Sequence, residues 1–224
     1  MKHYQILSAL LLYPEQVLLD NLAELEQLAS DQAEFHAALQ PLFSYLGNEK
    51  LIDLQQNYVA TFDRNMSHSL HLFEHIHGES RDRGQAMVDL MEEYKKHGLE
   101  ICANDLPDYV PLFLEFLAQL EQQQAAHMLG DAIHVLAYIG RKLKANQSPY
   151  AGVFDVLQML SPVVAEELAE PPVRDMDEAM ETFGSGIDGV EPLLKTLPGG
   201  PQPVNFYPKA RQPAAVNTTA NVAG

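Results

Sequence analysis

The chain has 224 residues, enough for one good-sized core or for one domain with an appended tail. Its formal net charge of −17 argues against nucleic acid as a partner, because phosphate repels a carboxylate-rich surface. A single cysteine, Cys102, excludes an internal disulfide and cannot by itself hold an iron–sulfur cluster or a structural zinc, so a reducing compartment is expected.

The opening stretch, MKHYQILSALLLYPEQ, carries a short apolar run over 6–12. Tyr13, Pro14 and Glu15 then stand where a secretory signal needs small residues. No stretch reaches the roughly 18 apolar residues of a membrane span, so a cytoplasmic protein without direct membrane insertion is expected. Leucine (32 residues) outnumbers isoleucine and valine together (21), which favours helices over strands.

The apolar spacing is helical almost throughout. Leu18, Leu22, Leu25 and Ala29 form the first clear stripe after Pro14. Phe35, Leu39, Leu42 and Leu46 follow a capping-box-like Asp31-x-x-Glu34, with Pro41 expected to break or kink the helix. Leu51, Leu54, Tyr58 and Phe62 mark the next helix, and Met87, Met91 and Tyr94 lie on one that stops near Gly98. Beyond the loop NDLPDYVP, Phe113, Phe116, Leu117 and Leu120 form another apolar stripe. Ile133, Leu136, Ile139 and Leu143 belong to a long helix ending in Arg141, Lys142 and Lys144, cations suited to the negative end of its dipole. Ser148-Pro149 and Ser161-Pro162 each read as an N-cap followed by proline at the first helical position.

No run alternates with period two for long enough to build a sheet. The expected fold is all-α, a single bundle of about nine helices over residues 1–168. Residues 169–191 read as an acidic, partly helical segment, with a solvated helix around 175–182. From Pro192 the chain holds six of the 14 prolines and no Asp or Glu, and is +3 where residues 1–191 are −20. Residues 192–224 are therefore expected to be a disordered, proline-rich tail, since their composition cannot offset the entropy of ordering.

The residues richest in chemistry are SHSLHLFEHIHGESRDRGQAM, 67–87, with His68, His71, His75 and His77 within ten positions. If Ser67 caps a helix running to His77, then His68, His71 and His75 share one side of it. His71 and His75 could then bind one metal, but Leu72 stands where a zinc hydrolase needs its glutamate base. Glu74-x-x-His77 with Asp131-x-x-His134 is a weak match to a di-iron pattern, and His77 lies at a helix end. A helical metal-binding enzyme using the His68–His77 cluster, with Glu74 and His134, is thus the alternative. No strand-borne nucleophile elbow and no phosphate-cradling loop are present. Arg81 and Arg83 are expected to pair with Glu74, Glu79 or Asp82. Met66, Met87 and Met91, with Tyr58, Phe62 and Phe73 and switchable histidines, suit a groove for an amphipathic helix. Binding is the reading these residues favour.

The string YVATFDRNMSHSLHLFEHIHGESRDRGQAMVDLMEEY, with LPDYVPLFLEFL downstream, closely resembles the nitrate reductase molybdenum cofactor assembly chaperones of the NarJ type, within the TorD-like redox enzyme maturation proteins. The resemblance covers about residues 57–118. It implies an all-α cytoplasmic chaperone with no catalytic activity. Its partner would be the apo catalytic (alpha) subunit of a respiratory nitrate reductase, held by its N-terminal peptide during molybdenum cofactor and iron–sulfur insertion before membrane attachment. No permanently bound cofactor and no metal are implied. Transient contact with the client's molybdenum cofactor, and with cofactor biosynthesis proteins, would fit the same role.

Carried over by position, the family's Y-x-x-x-F-D element falls on Tyr58, Phe62 and Asp63. Its following signature falls on Leu70, Phe73, Glu74, His75, Gly78, Glu79, Arg81, Asp82, Arg83 and Gln85, and its LPDYVP loop on 105–111, including Asp105, Pro107, Asp108 and Tyr109. Together with His68, His71, His77 and Met87, these, apart from Gly78 and Asp82, are the expected peptide-binding residues. Tyr58, Leu70 and Phe73 are those most expected to be core.

Overall fold

A computed structural model describes residues 2–78, 82–101 and 105–168. Every described residue belongs to one compact unit, which falls within Met1–Glu178. The expected acidic helix and proline-rich tail lie outside the described residues, as do Glu79, Arg81 and Cys102.

Ten α-helices follow one another in the described residues: α1 (Lys2–Leu11), α2 (Gln16–Asp20), α3 (Leu22–Ala29), α4 (Ala33–Asn48), α5 (Leu51–Tyr58), α6 (Leu72–His77), α7 (Asp82–Lys96), α8 (Val110–Gln119), α9 (Gln122–Ala145) and α10 (Ala151–Leu160). There is no strand among them, only an isolated antiparallel bridge between His71 and Tyr109. The expected all-α bundle is the fold.

One core joins the helices. α1 lies along α8, and α10 packs on both α9 and α4. Leu7, Leu10 and Leu11 of α1, Leu114 and Leu117 of α8, and Leu129, Ile133, Leu136 and Ile139 of α9 are all buried in it. Ser8 Oγ crosses from α1 to donate to the Pro111 carbonyl at 2.8 Å. Tyr94 of α7 donates to the Pro107 carbonyl at 2.7 Å and lies against Phe116, which fastens the 105–109 loop to the core.

Four sequence expectations change. Leu18 and Leu22 fall on two short helices, divided at Asn21. α4 begins after Gln32 with no side-chain cap, so Asp31 and Glu34 form no capping box, and the helix runs on through Pro41. Leu39, Leu42, Phe43 and Leu46 bury both turns around that proline, and their packing outweighs its missing N–H. No helix follows Ser161-Pro162 in the described residues; Ser161 instead ends α10 and accepts from Val163 N at 3.1 Å.

The largest departure concerns the histidine segment. The expected single helix from Ser67 to His77 is two pieces. Asn65, not Ser67, caps a 3-10 turn over Met66–His68 by accepting from Ser67 N. The chain then runs extended through Ser69 and His71, and α6 starts only at Leu72. Ser148 and Pro149 also lie ahead of α10, which starts at Ala151 with Tyr150 at its N-cap, whereas Gly98 marks a helix end as expected. α7 stops with Gly98 at φ 75°, Leu99 N bonding to the Tyr94 carbonyl and Gly98 N to that of Lys95, the paired bonds of a Schellman closure.

Burial pushes the phenols of Tyr58, Tyr94 and Tyr150 well above the ordinary value of 10.0; Tyr109 beside Tyr58, Asp108 near Tyr94 and Tyr45 near Tyr150 push the same way. The folded state therefore keeps neutral phenols at pH values where the unfolded chain ionises. Their contribution is whole below about pH 10 and is lost as pH rises above it. In an alkaline titration, phenolate absorbance from these three should appear together with loss of helical circular dichroism. Their ionisation ahead of helix loss would contradict the burial described.

Candidate functional site

The bridge between His71 and Tyr109 organises a cleft. Val110 N bonds to the Leu70 carbonyl at 2.8 Å and Leu72 N to the Asp108 carbonyl at 3.1 Å, so residues 70–72 and 108–110 run side by side. His71 and Tyr109 then lie with ring centres 5.5 Å apart. Opposite them, α5 passes into a single π-helical turn, Val59–Asp63, which carries Phe62 and Asp63. Such turns widen a helix locally and recur at functional sites. The cleft between these walls has a volume of about 410 Å³ and is lined by Tyr13, Tyr58, Phe62, Asp63, Ser69, Leu70, His71, Glu74 and Tyr109.

Its base is aromatic and fixed. Tyr58 donates its hydroxyl proton to the Leu11 carbonyl at 2.8 Å, so across the 3.2 Å contact between the two phenols Tyr109 is the donor and Tyr58 the acceptor. Tyr58 meets Tyr13 edge to face at 5.5 Å and lies 4.8 Å from Phe62. Tyr150, fully buried, backs Phe62 at 5.0 Å. The Tyr109 phenol is also held above its usual range, chiefly by burial and further by the nearby carboxylates Asp105 and Asp63. At the cleft, then, these are neutral, hydrogen-bonding aromatic surfaces.

Asp108 is 0% exposed and does not face the cleft. Its Oδ2 accepts from Phe73 N at 3.0 Å, and its Oδ1 lies 3.3 Å from His71 Nδ1. The carboxylate thereby fixes the start of α6 and turns the His71 ring, which is 30% exposed. Asp108→Ala would leave the Phe73 amide without its acceptor and should cost about 2 kcal/mol. Chemical denaturation measures this, and Asp108→Asn, which keeps an acceptor oxygen, should lose less.

The other expected residues separate by position. Tyr58, Phe62, Asp63, Leu70, His71, Glu74 and Tyr109 come together in the cleft. His68 is buried elsewhere, with Nδ1 3.1 Å from the Thr61 carbonyl and Nε2 2.9 Å from Asn146 at the end of α9. His75 donates to the Ser69 carbonyl at 2.8 Å and lies on Tyr138, while His77 lies on Phe73. Arg83 pairs with Glu74 as expected. Gln85 is exposed and bonds Asp89, Met87 is half-buried on α7, Asp105 is exposed and Pro107 is buried. Phe73 packs partly buried against the core, and Tyr58 and Leu70 are fully part of it.

The expected one-sided row of His68, His71 and His75 is therefore not formed, because extended residues separate them. His134 Nδ1 accepts from Glu166 N at 2.9 Å, remote in role from His71 and His75. Among the described residues no group of three or more His, Cys, Asp or Glu side chains is placed to hold a metal ion. Tyr13 and Ser69 were missed. Ser69 was visible inside the signature. Tyr13 had only its place after the first apolar run and before Pro14 to mark it.

The model of the nitrate reductase delta subunit family matches residues 28–155. The chain belongs to that family. Every cleft residue except Tyr13 lies inside the matched span. Among curated relatives, the nitrate reductase molybdenum cofactor assembly chaperone NarJ of Escherichia coli K12 is 41% identical over 186 residues, covering 79% of each chain. The probable nitrate reductase molybdenum cofactor assembly chaperone NarW of the same strain is 39% identical over 161 residues, covering 72% of this chain and 68% of the other. A crystal structure of a candidate redox enzyme maturation protein from Archaeoglobus fulgidus superposes with a TM-score of 0.53 at 20% identity, covering 70% of this chain and 91% of that one. It shares the fold. Members of the delta subunit family bearing these names are chaperones, and the protein is one of this non-catalytic kind, not an enzyme. No described helix is long and apolar enough to cross a membrane.

Proposed function

We propose that the protein is a system-specific cytoplasmic chaperone that binds the N-terminal peptide of the apo catalytic subunit of a respiratory nitrate reductase. It holds that subunit competent for molybdenum cofactor and iron–sulfur insertion before membrane attachment. The observation that carries the reading is where the cleft falls: the aromatic, carboxylate-edged hollow is lined almost wholly by residues inside the span that matches the family. Its size suits a few side chains of an amphipathic segment.

In this reading Tyr13, Phe62, His71 and Tyr109 give apolar grip, and Asp63 and Glu74 receive basic side chains. The wider charge of −17 steers a cationic peptide toward them. Asp108 and Tyr58 act from behind by fixing the wall and the base. Arg83, Gln85 and Met87 flank the site along α7. Transient contact with the client's molybdenum cofactor, and with the proteins that deliver it, belongs to the same role.

Calorimetric titration with that N-terminal peptide at two temperatures tests the reading. Saturable 1:1 binding with a negative heat-capacity change is expected, since apolar surface is removed from water. Absence of binding from pH 6 to 8 would count against it.

A further inference from the structure

Among the described residues, those lining the cleft include two carboxylates, Asp63 and Glu74, and no lysine or arginine. One cation nevertheless reaches it from behind. Arg83, in the first turn of α7, places Nη2 3.0 Å from Glu74 Oε1. Ser69 Oγ donates to the other oxygen, Oε2. Each oxygen of Glu74 thus already accepts one hydrogen bond before any ligand arrives.

The ion pair is an incomplete one. A guanidinium and a carboxylate hold each other best through two parallel N–H···O bonds, and here Arg83 makes one, to Oε1, while Oε2 accepts from Ser69. Arg83 Nε is buried and finds no acceptor among the described residues. A buried donor without an acceptor is a cost the folded state carries, so this pair is easier to open than a bidentate one.

We propose that Arg83 is an internal placeholder for a cationic side chain of the client peptide, which displaces it from Glu74 on binding. This rests on the peptide-cleft reading above and adds its regulation. Arg83 keeps Glu74 neutralised in the empty chaperone, and only a ligand bringing its own lysine or arginine, with apolar contacts to the aromatic base, replaces it. The sign of the consequence is diagnostic. Removing a merely structural arginine weakens binding, whereas removing a competitor strengthens it.

Fluorescence anisotropy on the full chain tests this with two synthetic peptides: the N-terminal sequence of the nitrate reductase catalytic subunit, and the same sequence with every Lys and Arg replaced by Gln. Arg83→Gln should bind the basic peptide about threefold more tightly than wild type and the neutralised peptide equally well. Glu74→Gln should weaken basic-peptide binding and cancel that gain in the double variant. Arg83→Lys, which keeps a cation but not the fork, should fall between, and it carries the test if Arg83→Gln fails to fold. Unchanged or weaker binding of the basic peptide in both Arg83 variants, with Tyr13→Ala still weakening it, overturns the placeholder and leaves the cleft reading standing. No binding of either peptide by the wild type sinks the cleft reading and the placeholder with it.

Discussion

Gly152→Ala should be the most damaging glycine-to-alanine change among the described residues. A Cβ at Gly152 would lie 2.0 Å from the Ala38 carbonyl oxygen and 2.9 Å from its carbon. Those are backbone atoms of α4, so no side-chain rotation relieves the overlap. α10 would have to lift from α4, and Val153, Phe154, Val156 and Leu157, all buried, would lose part of their packing. Overpacking of a rigid contact typically costs 1–3 kcal/mol, and a backbone collision this deep should cost about 4 kcal/mol or leave the chain unfolded. Gly84→Ala is the control: nothing lies within 4 Å of its Cβ, and it sits in α7. That change should stabilise by about 0.5 kcal/mol through helix propensity alone. Urea denaturation of both variants reads the contrast, and a Gly152→Ala protein as stable as wild type would refute the α4–α10 contact.

The second large effect concerns binding. Tyr109→Ala removes one wall of the cleft, the ring beside His71 and the donor to Tyr58 at once. Truncation of a buried aromatic anchor at an interface commonly costs 2 kcal/mol or more, so peptide affinity should fall about thirtyfold. Tyr109→Phe loses only the hydroxyl, and Tyr58 keeps its bond to the Leu11 carbonyl, so affinity should fall less than about threefold. Because Tyr109 also packs against the core, Tyr13→Ala is the cleaner companion. Tyr13 is 44% exposed, so its loss should leave the melting temperature nearly unchanged while weakening binding about tenfold. Calorimetry together with thermal unfolding of the three variants separates grip from folding.

Much of the fold was legible because helices announce themselves through a period that burial enforces. Ile133, Leu136, Ile139 and Leu143 are all buried on α9, and Phe113, Phe116 and Leu117 on α8, as their spacing required. Gly98 marked a helix end because a left-handed residue is needed there. Pro41 does not break α4, because its local penalty is set against tertiary packing that no single helix displays. The histidine segment misled for a different reason. His68, His71 and His75 have helical spacing, but Asn65 closes a turn first, and Leu70 and Leu72 exchange backbone bonds with Val110 and Asp108. A pairing between residues nearly forty positions apart leaves no periodic trace. The resemblance named most of the residues that line the cleft, yet it could not tell those facing it, such as His71 and Glu74, from those behind it, such as Asp108 and His68. Burial of a polar side chain depends on partners elsewhere in the chain.

The most direct measurement is photo-crosslinking of the nitrate reductase N-terminal peptide, carrying a photoreactive phenylalanine analogue, to the full-length protein, with adducts mapped by mass spectrometry. Adducts at Tyr13, Phe62, Asp63, His71 and Tyr109, lost on competition with unlabelled peptide, are expected. Competed adducts confined to the exposed face of α9 around His127 and Asp131, with none at the cleft, would contradict the proposed seat.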